Sequence, residues 1–330
     1  MVDFNNKSIL ITGGAGFIGS NLANFIENKY PNANIVIFDS FRNNEIFENG
    51  NLKSFGHFKN LLKFTGKIIT GNIDSKNDLT VLNNYKFDYI FHFAAISDTR
   101  VYDQETVFRT NINSFYFFLD KAVRDDSKLI YASSAATYGS LPSPQKIDCV
   151  SPENPYAYSK FSMDQLAKTY SQEFPSLNIV GLRYFNVYGP GEFYKGKTSS
   201  MIIQLGMQLL SNKKPRLFYG SDKIFRDFIY IKDVTKANLL ACSADENGVY
   251  NIGSGVPRSF QDIVNILQNE FKTNIEVEYF DNPYKDYQNH TEADISLSEK
   301  NLQFFPSYSL EKGIADYIPY IKDKFNESQN

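Results

Sequence analysis

Thr12-Gly13-Gly14-Ala15-Gly16-Phe17-Ile18-Gly19 stands directly after the apolar run Ser8-Ile9-Leu10-Ile11 and directly before a segment of helical spacing at 18–28. Gly14, Gly16 and Gly19 satisfy G-x-G-x-x-G, and Gly13, Gly16 and Gly19 satisfy the G-x-x-G-x-x-G variant. A glycine-rich turn with no ligand could carry the same letters. Placement gives them content: glycine permits the tight turn and close backbone approach, and the N-terminus of the following helix offers N–H donors and partial positive charge to a pyrophosphate. A strand that feeds a helix through such a turn is the first unit of a dinucleotide-binding sheet.

Outward from this turn the chain keeps one rhythm. Residues 35–39, 67–70, 89–93, 128–132 and 179–183 read as short buried strands, with 77–84, 104–124 and 157–174 as helices between them. Crossovers of that length make successive strands parallel, and right-handed connections assemble them into an α/β doubly wound parallel sheet. After residue 183 the rhythm breaks. Gly, Pro and Tyr crowd 188–197; 200–210 and 259–271 look helical; 216–218, 228–231, 249–252 and 275–279 look like isolated strands. A smaller mixed α/β lobe closing over the C-terminal strand edge is expected. The division is then 1–183 for the dinucleotide domain, with 226–252 returning to it, and 184–225 plus 253–330 for the substrate lobe; the polar end, 323–330, is expected to fray.

A length of 330 residues allows one large α/β unit or two joined domains. With 34 basic against 37 acidic residues and no long single-sign run, the chain lacks the basic footprint of a nucleic-acid or anionic-lipid binder. No stretch reaches the ~18 apolar residues of a membrane span, and the polar start reads as no signal peptide. Cys149 and Cys242 are too few and too far apart for a disulfide framework or metal cluster, and His57, His92 and His290 show no ligand spacing. A reduced, cytoplasmic protein without a metal is the expectation.

At the nucleotide end, Asp39 closes the second strand about 20 residues past the glycines, where a carboxylate can hold adenosine ribose hydroxyls, as in NAD. Arg42 follows three residues later and can instead pair with the 2′-phosphate of NADP. The residues alone leave that choice open. Asn72-Ile73-Asp74 after the third strand is placed to meet the adenine, and Phe93-Ala94-Ala95-Ile96-Ser97 follows the fourth. Small side chains there would let a dinucleotide lie across the strand ends, or would simply pack helix against sheet.

At the chemical end, Tyr156-Ala157-Tyr158-Ser159-Lys160 places Tyr156 and Lys160 on one helix face at i, i+4, so that an ammonium can stabilise a phenolate and lower the tyrosine pKa. Tyr158 faces elsewhere and reads as packing. Alone, Tyr-x-x-x-Lys is common as an exposed pair. Here it follows both the glycine turn and Tyr131-Ala132-Ser133-Ser134-Ala135 at a strand end, where Ser134 can share one substrate oxygen with Tyr156.

In these elements the chain resembles the extended short-chain dehydrogenase/reductase family over nearly its whole length, which implies a Rossmann sheet. Sugar-nucleotide dehydratases of that family carry an acidic pair after the serine; Ala135 and Ala136 stand here, which leaves hydride chemistry as in epimerases. The run Arg183-Tyr184-Phe185-Asn186-Val187-Tyr188-Gly189-Pro190, then Glu192 and Lys195, then Phe218-Tyr219-Gly220-Ser221 and Arg226-Asp227-Phe228, is similar to ADP-L-glycero-D-manno-heptose 6-epimerases, as is the late segment through Asp286-Tyr287-Gln288-Asn289-His290. That resemblance implies a cytoplasmic homo-oligomer, a pentamer, serving lipopolysaccharide inner-core heptose supply, with bound NADP (NAD being possible) and a nucleotide sugar as partner. It implies Ser134, Tyr156, Lys160 and Lys195 as catalytic residues, Lys195 being the second acid/base that inversion requires. Cofactor contacts would come from Gly13, Gly16, Phe17, Ile18, Gly19, Asp39, Ser40, Arg42, Asn72, Ile73, Phe93, Ala94, Ala95, Ser97, Asn111 and Val187 beside Tyr156 and Lys160. Substrate contacts would come from Ser134, Asn186, Lys195, Lys197, Gln204, Phe218, Tyr219, Gly220, Ser221, Arg226 and Tyr287. Arg226 suits a pyrophosphate through its two-pronged fork, or else an ion pair with Asp227 or Asp233. Gly191, Lys197 and Gln204 depart from residues usual in that family, often Arg, Ser and His.

Overall fold

The computed structural model describes residues 2–282 and 288–329. Seven parallel strands form the main sheet: β1 (Ser8–Thr12), β2 (Asn34–Asp39), β3 (Lys67–Thr70), β4 (Tyr89–His92), β5 (Lys128–Ser134), β6 (Ile179–Tyr184) and, arriving late in the chain, a strand at Gly248–Ile252. With β7 (Asn186–Tyr188), β8 (Arg216–Phe218) and β9 (Phe225–Tyr230) intervening, that last strand is β10, and the sheet order is β10-β6-β5-β4-β1-β2-β3. The order reverses between β1 and β4, and at such a switch point the two following loops diverge and open a crevice at the carboxyl ends.

Side chains alternate across the sheet. Ile9, Ile11, Ile37 and Phe91 enter one core with α1 (Phe17–Lys29), while Leu10, Val36, Phe38 and Ile90 enter another. The second core is closed by α2 (Lys76–Thr80), by α4 (Ser114–Asp125) and by α5 (Pro155–Glu173), which supplies Met163 and Ala167, while α3 (Gln104–Phe108) packs Val107 with Ile96 and Val101 in a small separate cluster. The single helix expected over 104–124 is split by a π turn at Arg109–Asn113. Asn154 caps α5 by accepting from Ala157 N–H, and Pro155 occupies the first helical position, where its missing donor costs nothing.

The first core continues into α6 (Met201–Leu210), α7 (Ile231–Ala241), α8 (Phe260–Phe271) and α10 (Leu310–Gln329), the short α9 (Ser296–Leu302) lying before the last of these. β11 (Pro257–Ser259), β9 and β7 form a three-stranded sheet, and β12 (Glu278–Phe280) pairs with β8. Further sequence expectations change, among them the strand expected at 275–279, which is Glu278–Phe280. The strand expected at 228–231 begins at Phe225 and ends at Tyr230, because Ile231 starts α7 without an intervening loop. The end expected to fray is the last turn of α10, held by Glu327 against Lys59, Lys324 and Tyr194; Gly313 and Pro319, both helix-weakening residues, lie inside that helix.

Gly313 is where α10 meets β7: a Cβ there would overlap the Tyr188 hydroxyl, itself buried. Replacing a mid-helix glycine by alanine normally helps by about 1 kcal/mol. Here overpacking, at about 1–3 kcal/mol, wins. Gly313→Ala is expected to lower the urea midpoint of unfolding, and a raised midpoint would show that α10 does not bear on Tyr188 at this point.

Candidate active site

The glycine turn folds as its letters require. Gly13 adopts φ +67° and its N–H donates to Phe38 O at 2.9 Å; a Cβ on it would come within 2.7 Å of Ala94 N. Gly16 begins α1 with no side-chain cap and no acidic residue follows in the first turn, so the helix's first N–H groups face a cleft of about 790 Å³. Thr12 Oγ1 accepts from Phe93 N–H and Ala94 N–H, both at 3.2 Å, and lies 2.9 Å from His92 Nδ1, which ties the β1 turn to the β4 turn.

The cleft brings together Gly13, Gly16, Phe17, Ile18, Gly19, Asp39, Ser40, Asn72, Ile73, Phe93, Ala94, Ala95, Ser97 and Val187 from the expected cofactor set, with Ser134, Tyr156, Lys160, Asn186, Lys195 and Arg226. An uncapped helix N-terminus over a glycine cradle fits a pyrophosphate, so the residues present suit a nicotinamide dinucleotide. Asp39 has a double duty: its carboxylate accepts from Ala15 N–H at 2.9 Å and Phe41 N–H at 2.8 Å, holding the glycine turn in place, while burial pushes its pKa up.

Other expected residues sit elsewhere. Arg42 Nη1 donates to Tyr194 O at 3.4 Å and does not line the cleft. Asn111, on the π turn, is buried: it accepts from Ile96 N–H and donates to Ile96 O and Ser159 Oγ, each at 2.9 Å, so it clamps the β4 turn to α5 instead of lining the cleft. Gln204 Nε2 is turned to Ser199 O at 2.7 Å. Phe218, Tyr219, Gly220 and Ser221 stand outside the cleft lining, with Tyr219 exposed and stacked on Tyr279. Lys197 lines a side cavity of about 290 Å³ shared with Asp98, Arg100 and Lys195. Tyr287 and the preceding Asp286 lie outside the described residues. Conversely, Lys53 and Ser54 line the cleft with Asp39 and Ser40 without any motif to announce them; a cation on an irregular segment has no periodicity to read.

Tyr156 and Lys160 share one face of α5, and both are buried. Lys160 Nζ donates to Ala132 O at 2.8 Å and lies 5.9 Å from the Tyr156 ring centre. The expected lowering of the phenol pKa by lysine is corrected here. Burial pushes Tyr156 up and only a hydrogen bond with Ser134 pulls it back, while burial brings Lys160 down to about 8 against the opposing charge of Asp164. Ser134 Oγ also accepts from Ala136 N–H at 3.1 Å, which aims it from the strand end. Lys195 is half-buried, its ammonium 5.8 Å from the Phe17 ring centre; desolvation lowers its pKa while Glu192 and Asp98 raise it. Arg226 donates to Phe225 O at 2.8 Å and to Gln288 O. A phenol, a serine hydroxyl and two amines of weakened basicity thus border one cleft, an arrangement able to take up and return protons at a carbinol oxygen.

Residues 9–253 match the NAD dependent epimerase/dehydratase family, and the chain belongs to it. Within that family it is an epimerase. It is similar, at 42% identity over 97% of this chain and 98% of the other with a TM-score of 0.89, to the ADP-L-glycero-D-manno-heptose-6-epimerase of Helicobacter pylori. A UDP-N-acetylglucosamine 4-epimerase from Methanobrevibacter ruminantium is similar at 27% identity over 99% and 100% of the two chains, TM-score 0.85. A UDP-glucose 4-epimerase from Thermotoga maritima is similar at 26% identity over 96% and 99%, TM-score 0.85. The family uses a nicotinamide dinucleotide. Among the described residues no helix is long and apolar enough to cross a membrane.

Gly19 offers a direct check on the cradle, since a Cβ there would overlap Gly13 O and approach Gly14 Cα to 2.8 Å. Gly19→Ala is expected to weaken dinucleotide binding at least about tenfold by titration calorimetry, because displacing the turn outweighs the ~1 kcal/mol helix gain. Unchanged affinity would mean that the turn does not hold the pyrophosphate.

Proposed function

We propose that this sugar-nucleotide epimerase inverts C6 of ADP-D-glycero-D-manno-heptose to give the L-glycero isomer, with NADP as its resident cofactor, in the cytoplasmic supply of lipopolysaccharide inner-core heptose. The observation that carries the reading is Lys195: a desolvated amine bordering the same cleft as Tyr156, Ser134 and Asn186, yet reaching it from the loop beyond β7 instead of from α5. Inversion needs proton handling from two directions, and two separately mounted groups of this kind supply it. The 42% likeness to the H. pylori enzyme, named for ADP-heptose, supports the choice of sugar.

The dinucleotide, when bound, supplies a hydride acceptor and donor for the carbinol carbon. The proton side belongs to the protein. Tyr156, sharing a hydrogen bond with Ser134, exchanges a proton with the substrate oxygen in one epimer, and Lys195 does so in the other. Between the two, the carbonyl of the 6-keto sugar nucleotide rests on Ser134, and rotation about C5–C6 presents its opposite face. Lys160, cationic below its pKa of about 8 and 5.9 Å from the Tyr156 ring centre, would hold the nicotinamide ribose beside the phenol. Asn186 offers the sugar both a donor and an acceptor, and Arg226 suits the pyrophosphate.

Lys53, paired at 3.3 Å with Glu45 and bordering the cleft with Ser40 and Ser54, favours the 2′-phosphate of NADP. Lys53→Ala is expected to cut NADP affinity about tenfold or more while leaving NAD affinity within a factor of two; equal losses for both would remove the phosphate role. A homo-oligomer, a pentamer by resemblance, goes with this reading and is checked by light scattering.

Incubation with ADP-D-glycero-D-manno-heptose is expected to yield the L-glycero isomer, and turnover of UDP-galactose alone would instead make this a 4-epimerase. Tyr156→Phe should leave cofactor binding intact and lower kcat at least about 100-fold. Lys195→Met should hurt full epimerisation more than a partial redox step with a simpler substrate, and equal effects would exclude the two-base scheme.

A further inference from the structure

We propose that Glu192 is a positioning residue for Lys195 and that the C-terminal helix α10, remote in sequence from every catalytic side chain, holds that acid/base loop in place; this rests on the reading of Lys195 given above. Glu192 is fully buried, three residues before Lys195. Its carboxylate accepts from Gly189 N–H at 3.0 Å, Ser200 N–H at 2.5 Å, Ser200 Oγ–H at 2.8 Å and Tyr317 Oη–H at 3.1 Å. Two of these are backbone donors; burial pushes the Glu192 pKa up, while Lys195 and these donors pull it back toward the anion. Gly189 lies at the start of the loop and Ser200 at its end, so one side chain closes the loop on itself. Lys195 stands midway, its N–H donating to Glu192 O at 3.0 Å.

Helix α10 reaches this loop twice. Tyr317 bonds Glu192, and two to three turns later Glu327 accepts from Tyr194 Oη, 3.3 Å away, next door to Lys195. The Tyr194 ring lies flat on His57, with centres 3.8 Å apart and planes 1° from parallel, and Lys324 sits over it at 5.5 Å. The loop is thereby wedged between the nucleotide-binding side and the C-terminal helix.

A buried anion this near an amine also has an electrostatic effect. The charged groups around Lys195 include the carboxylates of Glu192 and Asp98, the latter held by Asn49, Asn51 and Arg100, and the cations of Arg100 and Lys197, which share its side cavity. Those facing Glu192 are Lys195 and the phenols of Tyr188, Tyr317 and Tyr320. Removing the Glu192 charge leaves burial less opposed, so Lys195 should lose its proton at lower pH. A carboxylate serving only as a loop staple would alter rate and stability without moving that titration.

The test reads Lys195 directly. Its acylation by acetic anhydride is followed against pH by peptide mass spectrometry in the full chain, alongside steady-state epimerisation. Glu192→Gln is expected to move the Lys195 midpoint down by about one pH unit or more, and Glu192→Asp to restore it in part. Tyr317→Phe should leave the midpoint in place while lowering kcat several-fold at unchanged KM. An identical midpoint in wild type and Glu192→Gln overturns the assignment. Should Glu192→Gln not fold, an undiminished kcat in Tyr317→Phe overturns it equally. Wild-type rates in Lys195→Met would instead remove the reading of Lys195 itself.

Discussion

One buried ion pair joins the elements that border the candidate active site. Asp164, one turn beyond Lys160 on α5, accepts from Arg183 Nε at 3.0 Å and lies 2.9 Å from its Nη2. The same carboxylate accepts from Tyr131 Oη at 2.9 Å and Ser133 Oγ at 3.1 Å on β5, while Arg183 on β6 continues to Tyr138 Oη and Ile147 O. Ser133 precedes Ser134, and Arg183 lies three residues before Asn186. The pair therefore fixes the relative placement of Ser134, Tyr156, Lys160 and Asn186. Such a pair adds little stability over an apolar substitute, yet losing one partner costs about 3–5 kcal/mol because the other charge stays buried. Its worth here is in geometry.

The same burial acts in opposite senses on the groups it encloses. It makes Tyr156 harder to ionise and Lys160 easier to discharge, since each shift disfavours the charged form. A buried phenol and a buried ammonium left to themselves would drift toward neutrality together. Asp164 counters this for Lys160, and Glu192 with Asp98 does so for Lys195. Each lysine thus keeps a carboxylate behind it, tied up by other donors and so unable to take the substrate's place. The two amines are built alike although they stand on unrelated elements.

How much of this the chain announces depends on whether a feature is local. The glycine turn, the strand rhythm to residue 183 and the Tyr156/Lys160 spacing are governed by neighbours a few positions apart, and they are legible. Helix α10 is not, since Gly313 and Pro319 argue against it locally and only packing on Tyr188, α6 and α8 makes it form. Asn111 is expected in the cleft only by family resemblance; the π turn instead sets it under the β4 turn, bonded to Ile96 and Ser159. Arg42 reads as a phosphate ligand because a guanidinium follows Asp39 by three residues, yet its bond to Tyr194 O spans 152 positions. Lys53 escapes notice because its segment has no periodicity. Long-range pairings are where a linear reading runs out.

The family joins two chemistries, epimerisation and dehydration, and the cleft wall decides between them here. After Ser134 the chain turns through Ala135–Tyr138, where methyl groups stand and the turn is closed by Ser134 Oγ on Ala136 N–H and by Thr137 Oγ1 on Ser134 O. Among the described residues lining the main cleft, the carboxylates are Asp39, Glu45 and Asp74. Asp39 ends β2 and Asp74 follows β3, three and four strands across from β5, or about 14 and 19 Å at the usual strand spacing. Glu45 is paired with Lys53 on the same side. Among the described residues lining the cleft, no carboxylate stands beside Ser134 to protonate a departing hydroxyl, which agrees with an epimerase.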